Sequence, residues 1–184
     1  DLSMTTNVSS MSIDLDNVPY SDLSIKQEAP DTVNPSTVVK APLTISTLSL
    51  NQGNVTIVGD GDITINEITG TAGNIRITST GGNVTLKSIP AAGNVTIEAT
   101  GNVVLGSRAD WFGAIANGDT SVEVDRLSIV AGGFIRVYES DGLIADVLTS
   151  TGQKSVVIDA GGATTINSAI VAYGGSEQVS ITTR

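Results

Sequence analysis

The sequence contains neither cysteine nor histidine. Without cysteine no disulfide braces the fold and thiol chemistry is excluded. Without either residue the usual general bases and nucleophile pairs of enzymes are missing. Aromatic residues make up only 3% of the chain, so the apolar volume has to come mainly from Val, Ile and Leu. Basic residues are also few: 9 Lys and Arg stand against 19 Asp and Glu, a formal net charge of -10. A surface of that sign repels phosphate backbones and anionic lipid, so no nucleic-acid partner is expected. No apolar run reaches membrane-spanning length, so no membrane insertion is expected either. The chain opens at Asp1 with no apolar signal-peptide core, which reads as a processed form or as an excised part of something longer.

What the chain does have is a repeat. Gly53-Asn54-Val55-Thr56-Ile57 returns as Gly73-Asn74-Ile75-Arg76-Ile77 and again as Gly93-Asn94-Val95-Thr96-Ile97. A second short apolar segment follows each copy: Asp62-Ile63-Thr64-Ile65, Asn83-Val84-Thr85-Leu86 and Asn102-Val103-Val104-Leu105. A third arm is Glu67-Ile68-Thr69 in one unit and Ser88-Ile89-Pro90 in the next. Beta-branched residues between Gly and Asn turns are strand composition. Alternation puts Val and Ile on one face and Thr on the other. Strands this short bury little as isolated hairpins. Coiled into a stack, each strand pairs with its counterpart one unit away and the inward Val, Ile and Leu form continuous columns. A period near twenty residues marks such a stack.

The expected fold is therefore all-β: a parallel, right-handed β-helix solenoid over residues 43–184. Roughly six coils fit between Asn54 and Arg184, about 30 Å long at the usual strand spacing. The period breaks at 106–120, an insertion in place of a third arm, and then resumes at 22 to 23 residues, from Phe134 to Val156 to Val179. Residues 1–26 contain two strand-like segments and read as an N-terminal cap or arm. Residues 27–42, with Pro30, Pro35 and Pro42, read as its extended linker. An arm of this kind covers an open edge or pairs with a neighbouring subunit.

The strings Gly-Asn-Val-Thr-Ile, Gly-Asp-Ile-Thr-Ile and Gly-Gly-Asn-Val-Thr-Leu resemble the β-helical shaft repeats of filamentous-haemagglutinin-like bacterial adhesins and other giant repetitive surface proteins. The resemblance covers residues 53–105 well and 120–184 loosely. It is to the shaft and not to the secretion domain, whose Asn-Pro-Asn motif has only Asn34-Pro35-Ser36-Thr37 as a distant counterpart here. It implies an extracellular structural or adhesive fibre.

Candidate sites are sparse. Asn7, Asn54, Asn83 and Asn94 all stand in N-x-[ST] sequons and are candidate glycosylation acceptors. The structural reading of the Asn column is that Asn satisfies turn backbone and stacks in amide ladders, and Asn74-Ile75-Arg76 keeps the Asn while losing the sequon. Asp60 and Asp62 are candidate Ca²⁺ ligands by their oxygen chemistry, or else solvated turn carboxylates. Trp111 and Phe112 lie in the insertion and are candidates for stacking on a sugar ring, or for plugging the gap left by the missing arm. Asp110, Asp119, Glu123 and Asp125 are the carboxylates near that insertion on which a glycosidase or lyase would draw.

These features lead to an expectation of a non-enzymatic, extracellular or cell-surface structural protein. It self-associates through coil ends or its N-terminal arm, or stacks on neighbouring repeats of a longer chain. No cofactor is expected other than Ca²⁺ at Asp60 and Asp62. The alternatives are an adhesin segment that binds glycan through the Trp111 insertion, and a carbohydrate-active β-helix enzyme.

Overall fold

The computed structural model describes residues 2–15, 22–28, 40–106, 120–152, 154–168, 170–172 and 179–183. Among the described residues eighteen strands join into one continuous sheet that coils on itself in about seven turns. Along the first face lie β1 (Leu2–Thr6), β3 (Leu23–Gln27), β5 (Val55–Gly59), β8 (Ile75–Ser79) and the second half of β10 (Ile89–Ala99). It continues through the second halves of β12 (Val122–Ala131) and β14 (Leu143–Ser150) to β17 (Ile170–Ala172). The second face carries β2 (Ser10–Asp14), the start of β4 (Leu43–Asn51), β6 (Ile63–Ile65), β9 (Val84–Leu86) and β11 (Val103–Leu105). It ends with β13 (Ile135–Glu139), β15 (Val156–Ala160) and β18 (Val179–Thr183). The third face takes the rest of β4, β7 (Ile68–Thr71), the first halves of β10, β12 and β14, and β16 (Thr164–Ile166). Among the described residues no helix is long and apolar enough to cross a membrane.

The register shows why the repeat folds this way. On the first face Met4, Ile25, Ile57, Ile77, Ile97, Ile129 and Leu148 occupy one column, one residue per coil. On the second face Met11, Ile45, Ile65, Leu86, Leu105, Val137, Ile158 and Ile181 form another. Except near the two ends, these side chains are fully buried. The alternating Thr and Ser residues stay on the wet face. Each coil thus buries its apolar side chains chiefly against the coils above and below it, and stability accumulates coil by coil.

Two features depart from the expected boundaries. The described strands of the expected N-terminal cap or arm, β1, β2 and β3, lie in the coil stack itself. β1 pairs in parallel with β3, and β3 pairs with β5, so these strands form the first turns of the same solenoid. Leu23, Ile25 and Gln27 point inward in the same alternation as the later coils, which is the physical reason they join the stack. Of the expected linker, Gln27 and Glu28 finish β3 and its exit, and Lys40 to Pro42 lead into β4; residues 29–39 lie outside the described residues. The corners between the third and first faces are also less sharp than the repeat implies. β10, β12 and β14 each run through the corner as one bent strand.

Glycine is required where coils approach closely. Gly70 has φ +78°, and a Cβ there would collide with the carbonyl oxygen of Leu50 in the coil before. Gly106 has φ +75°, and its Cβ would sit 2.8 Å from the carbonyl oxygens of both Thr120 and Tyr138. Only a residue without a side chain fits such positions at little cost.

Candidate functional site

The Asn residues of the repeat form hydrogen-bonded ladders between coils. Asn54 donates its backbone N–H and its Nδ2 to Oδ1 of Asp22, at 3.0 and 2.9 Å. Asn74 donates the same two groups to Oδ1 of Asn54, at 2.8 and 3.1 Å. Asn94 repeats the pattern on Asn74, at 3.2 and 2.9 Å. A second ladder starts from Asp62, whose Oδ1 accepts from Asn83 N–H at 2.7 Å and Asn83 Nδ2 at 3.0 Å. It continues through Asn102 N–H to Asn83 Oδ1 at 2.8 Å, and Phe134 N–H to Asn102 Oδ1 at 3.0 Å.

Both ladders obey one chemical rule. An amide passes the pattern along because it accepts from the coil above and donates to the coil below. The lowest member only accepts, so a carboxylate suits it, and Asp22 and Asp62 hold those places. The first ladder stops at Arg126, the register partner of Asn94, because arginine has no acceptor. Its guanidinium turns instead to Asp146, with Nε to Oδ2 at 2.7 Å and an Nη to Oδ1 at 2.6 Å. Asp146 also accepts from Asn167 Nδ2 at 2.8 Å. These hydrogen bonds, Arg126 first, lower the Asp146 carboxyl to about 2.

The sequence-derived site residues fall out as follows. The Nδ2 atoms of Asn54, Asn83 and Asn94, where a glycan would attach, already serve as donors between coils. Asn7 is exposed on the connection from β1 to β2. Asp62 heads a ladder, while Oδ1 of Asp60 accepts from Ala41 N–H at 3.1 Å at the approach to β4. The two carboxylates thus work in different hydrogen bonds. Among the described residues no group of three or more Asp, Glu, His or Cys side chains is placed to hold a metal ion. Trp111, Phe112, Asp110 and Asp119 lie outside the described residues.

Glu123 and Asp125 do come together with partners the sequence had not singled out. They line a pocket of about 350 Å³ on the side wall, together with Ala92, Val124, Asp141, Gly142 and Ile144. Ser140 donates its hydroxyl to Glu123 at 2.9 Å. Behind the wall lies Glu139, 0% exposed. Its Oε1 accepts from Val124 N–H at 3.3 Å, and its carboxyl also shares a hydrogen bond with the Asp141 side chain. Burial first, then hydrogen bonding and like charge from Asp141, push the Glu139 carboxyl up to about 9, and Glu123 adds to the rise. Glu139 is therefore a neutral acid at pH 7. The sequence signal was available: counting by twos from Ile135 and Val137 puts Glu139 on the inward side, opposite Ala160 in the next coil.

The two end turns differ from everything between them. At one end Val179 and Ile181 of β18 are 45% and 40% exposed, although their register partners Val156 and Ile158 are completely buried. Ile166 of β16 is exposed on the adjoining face. At the other end Leu2 is exposed, and Met4, Met11, Ile13 and Leu15 are only partly covered where they pack against the core. Both ends present the same apolar columns that the interior buries. No protein-family model, no curated protein and no solved structure matches the chain.

Proposed function

We propose that this chain is a structural β-solenoid segment of an extracellular or cell-surface fibre, which extends by stacking coil on coil at its end turns. The observation that carries the reading is the exposure of core-column side chains at both ends, Leu2 at one and Val179 with Ile181 at the other. A parallel coil laid on either end would continue the columns, pair the open strand edge and remove apolar surface from water. Such an addition repeats a translation and rotation without closing, which generates a filament. The partner is a second copy of the chain or neighbouring repeats of a longer one. The acidic, Lys-poor, Thr-, Ser-, Gly- and Asn-rich composition and the likeness of residues 53–105 to adhesin shafts support the extracellular setting.

Sedimentation of the 184-residue chain over a concentration series tests the stacking. Growth into rods that Val179→Lys with Ile181→Lys abolishes is the expected result. A monomer at every concentration, with the substitutions changing nothing, would refute self-assembly.

A further inference from the structure

The chain has two methionines, Met4 and Met11, and both stand at the same end of the solenoid. Met4 begins the first-face column and pairs with Ile25. Met11 begins the second-face column and pairs with Ile45. Every later position of these columns, up to Leu148 and Ile181, is Ile, Leu or Val. Thioethers thus replace branched aliphatics only at the open turn. Ile25 and Ile45, one coil inward, are 0% exposed, whereas Met4 and Met11 are half-buried where they pack against the core.

A thioether fills space much as Leu does and adapts to an irregular contact. Unlike Leu, it is oxidised by peroxide, which turns a flexible apolar side chain into a polar, chiral one. With no cysteine in the chain, thioether sulfur is the group that mild peroxide attacks first. A methionine in an interior coil would be shielded from both neighbouring coils, and these two are shielded from one. We propose, on the reading of the end turns as stacking surfaces, that Met4 and Met11 are modification sites at which a peroxide switches off stacking at this end. The sulfur lone pair attacks one peroxide oxygen, the S–O bond forms and the O–O bond breaks. The departing hydroxide takes the proton from the oxygen now on sulfur and leaves as water. The sulfur is oxidised by two electrons and the peroxide is reduced by two.

A sulfoxide at the head of each column would have to be buried under the incoming coil. In the second-face column the residue brought by another copy is Ile181, whose side chain offers no hydrogen-bond donor. Stacking would therefore bury an unsatisfied polar group. The two methionines lie on different faces, so oxidation spoils the dry contact on two sides of the turn at once. The opposite end, with Val179 and Ile181, carries no sulfur and keeps its apolar surface. A stacked copy also covers the methionines, so peroxide acts on free ends and arrests growth.

The test follows the 184-residue chain by sedimentation before and after mild hydrogen peroxide, with peptide mass spectrometry reading one added oxygen on each methionine. Oxidation of the dilute chain should raise the concentration needed for rods at least about tenfold. Methionine sulfoxide reductases A and B with a dithiol should restore it. Met4→Leu/Met11→Leu should form rods as the parent does and ignore peroxide. Met4→Gln/Met11→Gln, which sets a polar group at the same two heads, should keep its sheet by circular dichroism and form no rods without any peroxide. Rods that form equally well from chains carrying both sulfoxides, or a Met4→Leu/Met11→Leu chain that peroxide still arrests, would overturn the proposal and leave the stacking reading standing. A parent that forms no rods before peroxide would overturn both.

Discussion

Glu139 gives the most exacting prediction. Its carboxyl is fully enclosed and lies at about 9 in the folded chain, against an ordinary value of 4.5. A group whose folded value is raised contributes stability that is complete below the unfolded value and is lost as pH rises through the folded one. The window is therefore about pH 4.5 to 9. Within it the unfolded chain has released a proton that the folded chain keeps. Each pH unit then removes about 1.4 kcal/mol, so stability should fall by roughly 2–3 kcal/mol between pH 6 and pH 8. No histidine titrates in the same interval to obscure the slope. Urea denaturation at closely spaced pH values measures it. Glu139→Gln keeps the size of the side chain and removes the titration, so its unfolding midpoint should be flat over this interval and should exceed the parent's at pH 8. An equally steep slope in Glu139→Gln, or a flat parent, would refute the reasoning.

Three further outcomes follow from the geometry. Asn74→Asp replaces a donor with a second acceptor against Oδ1 of Asn54 and should cost about 1–3 kcal/mol, read as a lowered thermal midpoint. Asp22→Asn, at a place that only accepts, should cost clearly less. Gly70→Ala forces a side chain into φ +78° and onto the Leu50 carbonyl, a loss of at least about 1–3 kcal/mol by denaturant titration. Arg126→Ala removes the main cause of the low Asp146 value; carboxyl NMR should show Asp146 rising toward the ordinary carboxylate range. The stability held by that pair is present above pH 3.8 and lost as pH falls toward about 2, so the variant should lose acid tolerance in that window.

The solenoid was legible in the chain because three spatial rules coincide in each repeat: Gly at close approaches, Asn at the corners, and Val or Ile at every second strand position. The ladder residues were legible for the same reason, since Asn54, Asn74 and Asn94 recur at the coil period. Their Asp heads were harder to read. Asp22 precedes the clean repeat, and Asp62 looks like a turn carboxylate until the coil above is placed on it. The coil strands β1 to β3 are hard to read because the long stretch between Glu28 and Lys40 interrupts the period, although Leu23-Ser24-Ile25 carries the same alternation as Val55-Thr56-Ile57. The side-wall pocket was half visible. Glu123 and Asp125 are carboxylates near the insertion, and alternation from Ile135 turns Glu139 inward, but Asp141 joins them only through the pairing of β12 with β13 and β14, which no local pattern encodes.

The account rests most heavily on end-to-end stacking, and the absence of cysteine allows a direct measurement. Met11 and Ile181 occupy the first and last positions of one column on the second face. In an in-register stack, Ile181 of one copy would lie about 4.8 Å from Met11 of the next, within disulfide reach. A Met11→Cys/Ile181→Cys chain under mild oxidation should therefore give a ladder of covalent multimers. Met11→Cys paired with Thr182→Cys, which faces the other way, should give few. Monomer alone from the first variant, or equal ladders from both, would contradict in-register stacking.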